Sequence, residues 1–341
     1  MESRVYPRAD RDENATAPGV VSVADVRSAI RDRTVLNQDQ RDRLYEILSQ
    51  RRMMIGLTVL PVALLFALIL AFPILWAIIA SFHDIHAFDP EWTWVGLDNY
   101  VEYLFQDALF RETLWLSVTF AAVSVSIHVV VGTAVALLLT KAFPFKKFVS
   151  AVLFLPFLIP TAILGFGIGY MMNSTFGIVN WLLVDLGVIE TTRGWFGNPD
   201  TALYVVAAVN SWKFYALVTI MVYARLQSIP DAHYETAKMM GANAWERFRD
   251  VTLPNLKGVL FLVILLDSIW MLFKFDIIWI LTQDGPAGST RISVVYAYQI
   301  AFQQTALGDA AAISVILFTI VAAGALLYFY VLEPEEEVRA E

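Results

Sequence analysis

Six stretches of this chain run for about twenty residues or more with almost no charge, the length that crosses the hydrocarbon core of a bilayer. They cover about Met54–Phe82, Leu114–Thr140, Phe148–Met172, Leu203–Leu226, Gly258–Thr282 and Ala310–Leu332, and Pro156 and Pro160 interrupt the third. In lipid every backbone N–H and C=O must be paired within the protein, so runs of this length are expected as helices. Composition agrees: 58% of the 341 residues are hydrophobic and 16% are charged, against about a quarter charged in soluble domains. The expected fold class is all-α, a polytopic membrane protein with six transmembrane helices.

The distribution of Lys and Arg predicts how these spans are oriented, because cations collect in cytoplasmic loops. Arg41, Arg43, Arg51 and Arg52 precede the first span, and Lys141, Lys146 and Lys147 sit between the second and third. Arg225, Lys238, Arg247, Arg249 and Lys257 lie between the fourth and fifth. The loops of the opposite side hold Arg111, Arg193 and Arg291, so the count is twelve against three and both termini are expected in the cytoplasm. The first outer loop is acidic, with Asp84, Asp89, Glu91, Asp98, Glu102, Asp107 and Glu112. That reads as a solvated face, or as adaptation to high salt.

Residues 1–50 read as a cytoplasmic extension, 51–335 as the membrane domain and 336–341 as a cytoplasmic tail. Residues 1–20 have a disordered composition, and Ser22-Val-Ala-Asp25 resembles a helix-capping box. Leu44, Ile47 and Leu48, with Arg41, Arg43 and Glu46, suggest an amphipathic helix leading into the first span. The polar start does not resemble a cleaved leader, so the first apolar run is expected to act as its own insertion signal. Cysteine is absent and there are four histidines, with no metal-ligand cluster and no nucleophile–base pair; catalytic and metal residues are expected to be none. The net charge of −8 argues against nucleic acid as a partner.

One block between the fourth and fifth runs is unlike the rest: Tyr234 to Pro254, charged and helix-forming. Pro230 and Asp231 suit a helix start, and Gly241 suits its left-handed end. A second helix is expected over about Asn243–Val251, with Leu253-Pro254 stopping it. A connector of this kind would ordinarily be a solvated loop. Here Glu235-Thr236-Ala237, then Gly241, then Val251-Thr252-Leu253-Pro254 resembles the cytoplasmic loop of ABC importer permeases, in which E-A-A, three residues and G precede I-x-L-P. Leu226-Gln227-Ser228-Ile229-Pro230 fits the same pattern; Thr236 replaces its first alanine. The resemblance implies a type I importer permease fold and makes 229–257 a coupling helix seated in a cleft of an ATPase. Glu235 would then make the polar contact and Gly241 the bend. The chain has no G-x-x-x-x-G-K-[ST] of its own, so ATP and Mg would be used by a partner ATPase and no cofactor would be bound here.

Further likeness points to the carbohydrate-importing permeases, such as those for maltose, glycerol-3-phosphate and multiple sugars. It rests on Val95-Gly96-Leu97-Asp98-Asn99-Tyr100, on Leu155-Pro156 with Pro160, on Leu281-Thr282-Gln283-Asp284-Gly285-Pro286, and on Tyr298 through Phe302 with Gly308 and Ala310–Ala312. Gln283-Asp284 and Asp309 depart from the family pattern and add negative charge near the outer face. The implied partners are a second homologous permease, two copies of an ABC ATPase, an extracellular solute-binding protein, the lipid bilayer and a sugar, in the cell membrane.

Ionisable residues at bilayer depth usually face a cavity or a partner. Asp267, Met271 and Lys274 fall at i, i+4 and i+7 and are expected on one helix face, there either lining a path or pairing internally. Lys274 has Asp267 and Asp276 as possible partners, and His128 reads as a hydrogen-bonded interior residue. The resemblance places sugar contacts near Lys213, Phe214 and Leu217 of the fourth span, and Phe157 and Thr161 flank Pro160 in the third. A permease for polyamine or phosphate, an ATPase-independent secondary transporter or channel, and a membrane enzyme remain as alternatives, in falling order of fit.

Overall fold

The computed structural model describes residue 56, residues 59–89 and residues 91–332. The capping box at Ser22, the amphipathic segment at 41–48, the cations before the first span and the tail 336–341 lie outside the described residues. By its internal contacts the chain divides into Met1–Pro73 and Ile74–Glu341. The first unit contributes apolar helix from Val59, with a π-turn at Ala67–Ala71 just before Pro73, whose ring nitrogen has no hydrogen to donate. The helix α1, Val59–Ala80, contains the division.

In the second unit a two-residue hairpin pairs β1, His83–Asp84, with β2, Thr93–Trp94. Helix α2, Ala108–Thr140, follows; then α3, Lys146–Leu158, and α4, Thr161–Met171. A short helix α5, Ile178–Asp185, leads to α6, Ala202–Gln227. The charged block after α6 holds α7, Asp231–Met239, and the start of α8, Ala244–Leu272. Short helices α9, Asp276–Leu281, and α10, Ser293–Phe302, precede α11, Leu307–Leu332. Among the described residues five helices are long and apolar enough to cross a membrane, and six if α3 and α4 form one bent span.

The central packing is α2 against α6. Small residues let membrane helices approach closely, and a Cβ at Gly132 would stand 2.7 Å from Val218 Cβ and 2.8 Å from the Tyr215 carbonyl. The Thr219 hydroxyl donates to the Gly132 carbonyl at 3.2 Å. One core cluster joins Phe120 and Val125 of α2 to Val206 and Val209 of α6, Met271 of α8 and Ile277 of α9. A second joins Ala136, Val218, Val222, Leu226, Ile229 and Leu256 at the end of the bundle beside α7. The opposite end is fixed by Asp107, which caps α2 by accepting from the Leu109 and Phe110 amides and takes the Tyr296 hydroxyl at 2.6 Å.

Three sequence expectations need correction. The third run is broken at Pro160 alone, where α3 and α4 diverge by 99°; Pro156 lies inside α3, and the Tyr215 hydroxyl bonds the Leu153 carbonyl one turn earlier. Leu253-Pro254 does not stop the second helix of the charged block. A π-turn at Phe248–Thr252 carries it straight into the span: the wider turn accommodates a proline that can donate no helical bond. The fifth run is not one helix. It ends at Leu272 and resumes as α9 at Asp276.

Candidate functional site

Two places carry the chemistry. The first is the charged 229–257 block. Pro230 precedes α7 and Asp231 supplies an acidic first turn. Gly241 ends the unit with φ +84°, a left-handed conformation that β-branched residues resist. Asn243 and Glu246 then make a full capping box, each side chain accepting from the other's end of the turn. The block is tied to the membrane helices from behind. Tyr234 packs on the cluster of Leu226, Ile229 and Leu256, its hydroxyl lies 3.2 Å from that of Thr252, and Arg225 Nε donates to the Asn255 carbonyl. Glu235 and Thr236 point outward, and Ala237 is half-buried. Met239 and Met240 are 89% and 81% exposed and Trp245 is 66% exposed, so an apolar edge is left bare beside Glu235. Leu253 and Pro254, expected in the motif, are exposed at the root of the span rather than at a helix stop.

The second place is a groove of about 410 Å³ beside the two helix breaks, lined by Phe214, Met271, Phe273, Lys274, Phe275 and Asp276 among others. The break at Pro160 leaves the Ile159 carbonyl without a helical partner. Lys213 Nζ takes that carbonyl and also donates to Thr161 Oγ1 at 3.2 Å. Lys274 Nζ is 2.8 Å from Asp276 Oδ1. Residues two apart point to opposite sides of a helix; the break after Leu272 is what lets this pair meet. Lys274 therefore does not share a helix face with Asp267, contrary to the spacing argument. Both ammonium groups approach the Phe214 ring, Lys274 at 4.1 Å and Lys213 at 5.7 Å from its centre.

Asp267 is not among the groove-lining residues. It is fully buried, and its Oδ2 is 2.7 Å from His128 Nδ1 of α2. Met271, one turn on, receives Asn210 Nδ2 on its sulfur. Phe157 meets Phe214 edge-on at 6.5 Å. Leu217, half-buried one turn further along α6, is not among the groove-lining residues. The structure thus gathers Lys213, Phe214, Thr161, Phe157, Lys274 and Met271, and sets Asp267 and Leu217 apart. Sequence reasoning missed Phe273 and Phe275. They alternate with Lys274 and Asp276, an apolar–charged alternation inside an apolar run that marks a break. In the loop after α9, burial would raise the Asp284 carboxyl, but its bonds from Arg291, 2.6 Å from Nη2, outweigh this and hold it below the usual range.

A family model for the binding-protein-dependent transport system inner membrane component matches residues 128–332, which include both places. The inner membrane ABC transporter permease protein YcjO of Escherichia coli is 40% identical over 240 residues, 70% of this chain and 79% of that protein. The trehalose/maltose transport system permease protein MalF of Thermococcus litoralis is 34% identical over 279 residues, 81% of this chain and 92% of that one. In fold the chain is similar to a bacterial ABC transporter involved in import of the acidic polysaccharide alginate, at TM-score 0.75 and 21% identity, covering 86% of this chain and all of that one. The chain belongs to the family of binding-protein-dependent transport system inner membrane components and is a multi-pass permease subunit of an ABC importer.

Proposed function

We propose that this permease carries a sugar or oligosaccharide, handed over by an external binding protein and driven by a partner ATPase pair that docks on the 229–257 block. The observation that carries the mechanism is the unbroken helix α8. It starts beside Gly241 in the bare cytoplasmic block and ends at Leu272, at the edge of the groove. A helix of 29 residues is about 43 Å long. Movement of the block as the ATPase closes is then delivered as a shift of that rod against the groove. Glu235, Thr236, Ala237 and Gly241 form the docked face, and Leu253 and Pro254 lie where the block joins the rod. A second homologous permease covers the open side of the groove.

Two relatives carry carbohydrate names, the trehalose/maltose permease and the sulfoquinovosyl glycerol permease SmoG of Agrobacterium fabrum. The groove suits that class. Aromatic faces at Phe214, Phe273 and Phe275 stack on the apolar face of a sugar ring, and Lys274 and Asp276 hydrogen-bond hydroxyls. Lys274 in the lining and Lys213 buried behind it disfavour a polyamine, and the aromatic lining is excess to inorganic phosphate. The test is uptake by proteoliposomes holding this chain, the second permease, the ATPase and the binding protein. ATP-dependent accumulation of labelled saccharide is expected; uptake that persists without the ATPase, or accumulation of polyamine or phosphate in place of saccharide, would remove this reading.

The orientation follows from the same reading, with both termini cytoplasmic and the block facing the ATPase. The absence of native cysteine makes labelling direct. A cysteine at position 20 is expected to stay unlabelled by an impermeant maleimide in intact cells and to react after permeabilisation. Labelling in intact cells would invert the topology.

A further inference from the structure

Charge in the groove narrows the substrate class, on the reading that the groove is the sugar path. Two ammonium groups, Lys213 and Lys274, flank one aromatic ring, Phe214. Lys274 is paired with Asp276 at 2.8 Å. The partners of Lys213 are neutral, the Ile159 carbonyl and the Thr161 hydroxyl, and among the described residues no carboxylate lies within ion-pair distance of it. The next nearby carboxylate, Asp267, is spent behind the ring on His128. A fully buried carboxylate is tolerated only when paired, and His128 is its partner, so Asp267 is not available to either lysine. Lys274 and Asp276 line the groove and balance each other, and Lys213 is buried just behind the lining, so the surroundings of the Phe214 ring hold one more positive than negative charge among the described residues.

Lys213 lies midway along α6, so this excess sits at bilayer depth, where an unbalanced cation is disfavoured. Lys274 reaches the same ring and is at the same level. A neutral sugar needs hydroxyl partners, which amides supply at lower cost than two lysines. We propose that the groove is built for an acidic saccharide. The ring packs on Phe214 and Phe275, and its carboxylate, sulfonate or phosphate completes the charge between Lys213 and Lys274.

The complete importer in proteoliposomes is offered a mixed hydrolysate of starch, xylan and pectin, which contains neutral and uronic-acid oligosaccharides of two to four units, and the imported species are read by mass spectrometry. The acidic species are expected at least tenfold enriched over neutral species of equal length. Equal import, or neutral enrichment, overturns the acidic class while leaving carbohydrate transport standing; import of no saccharide removes both. Selectivity of the external protein acts equally on every variant, so variants isolate the groove. Lys274→Gln, which removes a positive charge, is expected to lower the acidic-to-neutral ratio about tenfold. Asp276→Asn, which removes the negative one, is expected to raise it. If both variants merely loosen the break, the ratio stays fixed or moves the same way in both while total uptake falls. Either result counts against the proposal, as does an excess charge met by a carboxylate of the second permease, which would leave the Lys274→Gln ratio unchanged.

Discussion

Replacing His128 by leucine is expected to remove most of the folded chain from the membrane, and replacing Asp267 by leucine in the same chain is expected to bring it back. The two side chains meet at 2.7 Å with both fully out of contact with solvent. His128 Nε2 and Asp267 Oδ1 have no other partner among the described residues, so nothing else stands ready to compensate. Removing one member of a buried pair strands the other, at a cost of about 3–5 kcal/mol. That is a large share of what a domain commonly has to lose. Removing both leaves two apolar side chains where α2 meets α8, and replacement of a buried pair by hydrophobic residues is often neutral or better. The measurement is monodisperse yield after detergent extraction, with Asp267→Leu alone as the reciprocal single variant. Equal yields from both singles and the double would show the pair to be idle. A double variant that assembles with its partners yet carries no saccharide would return Asp267 to the substrate path, from which its burial separates it.

How far the sequence could be read differs from place to place, for physical reasons. Spans were legible because bilayer thickness imposes a length and lipid excludes charge, and α2, α6 and α11 begin and end within a few residues of the expected bounds, except that α2 starts at Ala108. Gly241 was legible because so few residues tolerate φ near +84°. Breaks were read less well. Pro160 and Pro156 look alike in sequence, yet only Pro160 bends the chain, because Lys213 of α6 is at hand to serve the freed Ile159 carbonyl. Partner choice was the hardest. Asp267 and Lys274 fall on one ideal helix face, and periodicity cannot foresee that a break gives Lys274 to Asp276 and leaves Asp267 to His128, 139 residues away.

The other large effect concerns coupling. Glu235→Lys is expected to leave membrane level and detergent behaviour unchanged while ATP-driven uptake falls by an order of magnitude or more. Glu235 is exposed and makes no hydrogen bond or ion pair among the described residues, so its loss costs the fold nothing that the structure shows. What changes is the surface beside Met239, Met240 and Trp245, whose exposure is too great for side chains meant to remain in water. Charge reversal at a docked centre costs about 2 kcal/mol or more, roughly 30-fold in affinity for the ATPase. Gly241→Val tests the same surface through the backbone. A Cβ there would touch nothing within 4 Å, so no clash arises; the penalty is the left-handed φ alone, about 1–2 kcal/mol. The valine chain relieves it by unwinding the turn that sets α7 against the foot of α8. Co-purification of the ATPase and uptake are expected to fall together in both variants, with saccharide binding to the external protein unaltered. If the ATPase stays bound and uptake is lost, the block transmits motion without being the anchor; if both persist, it is only a connector.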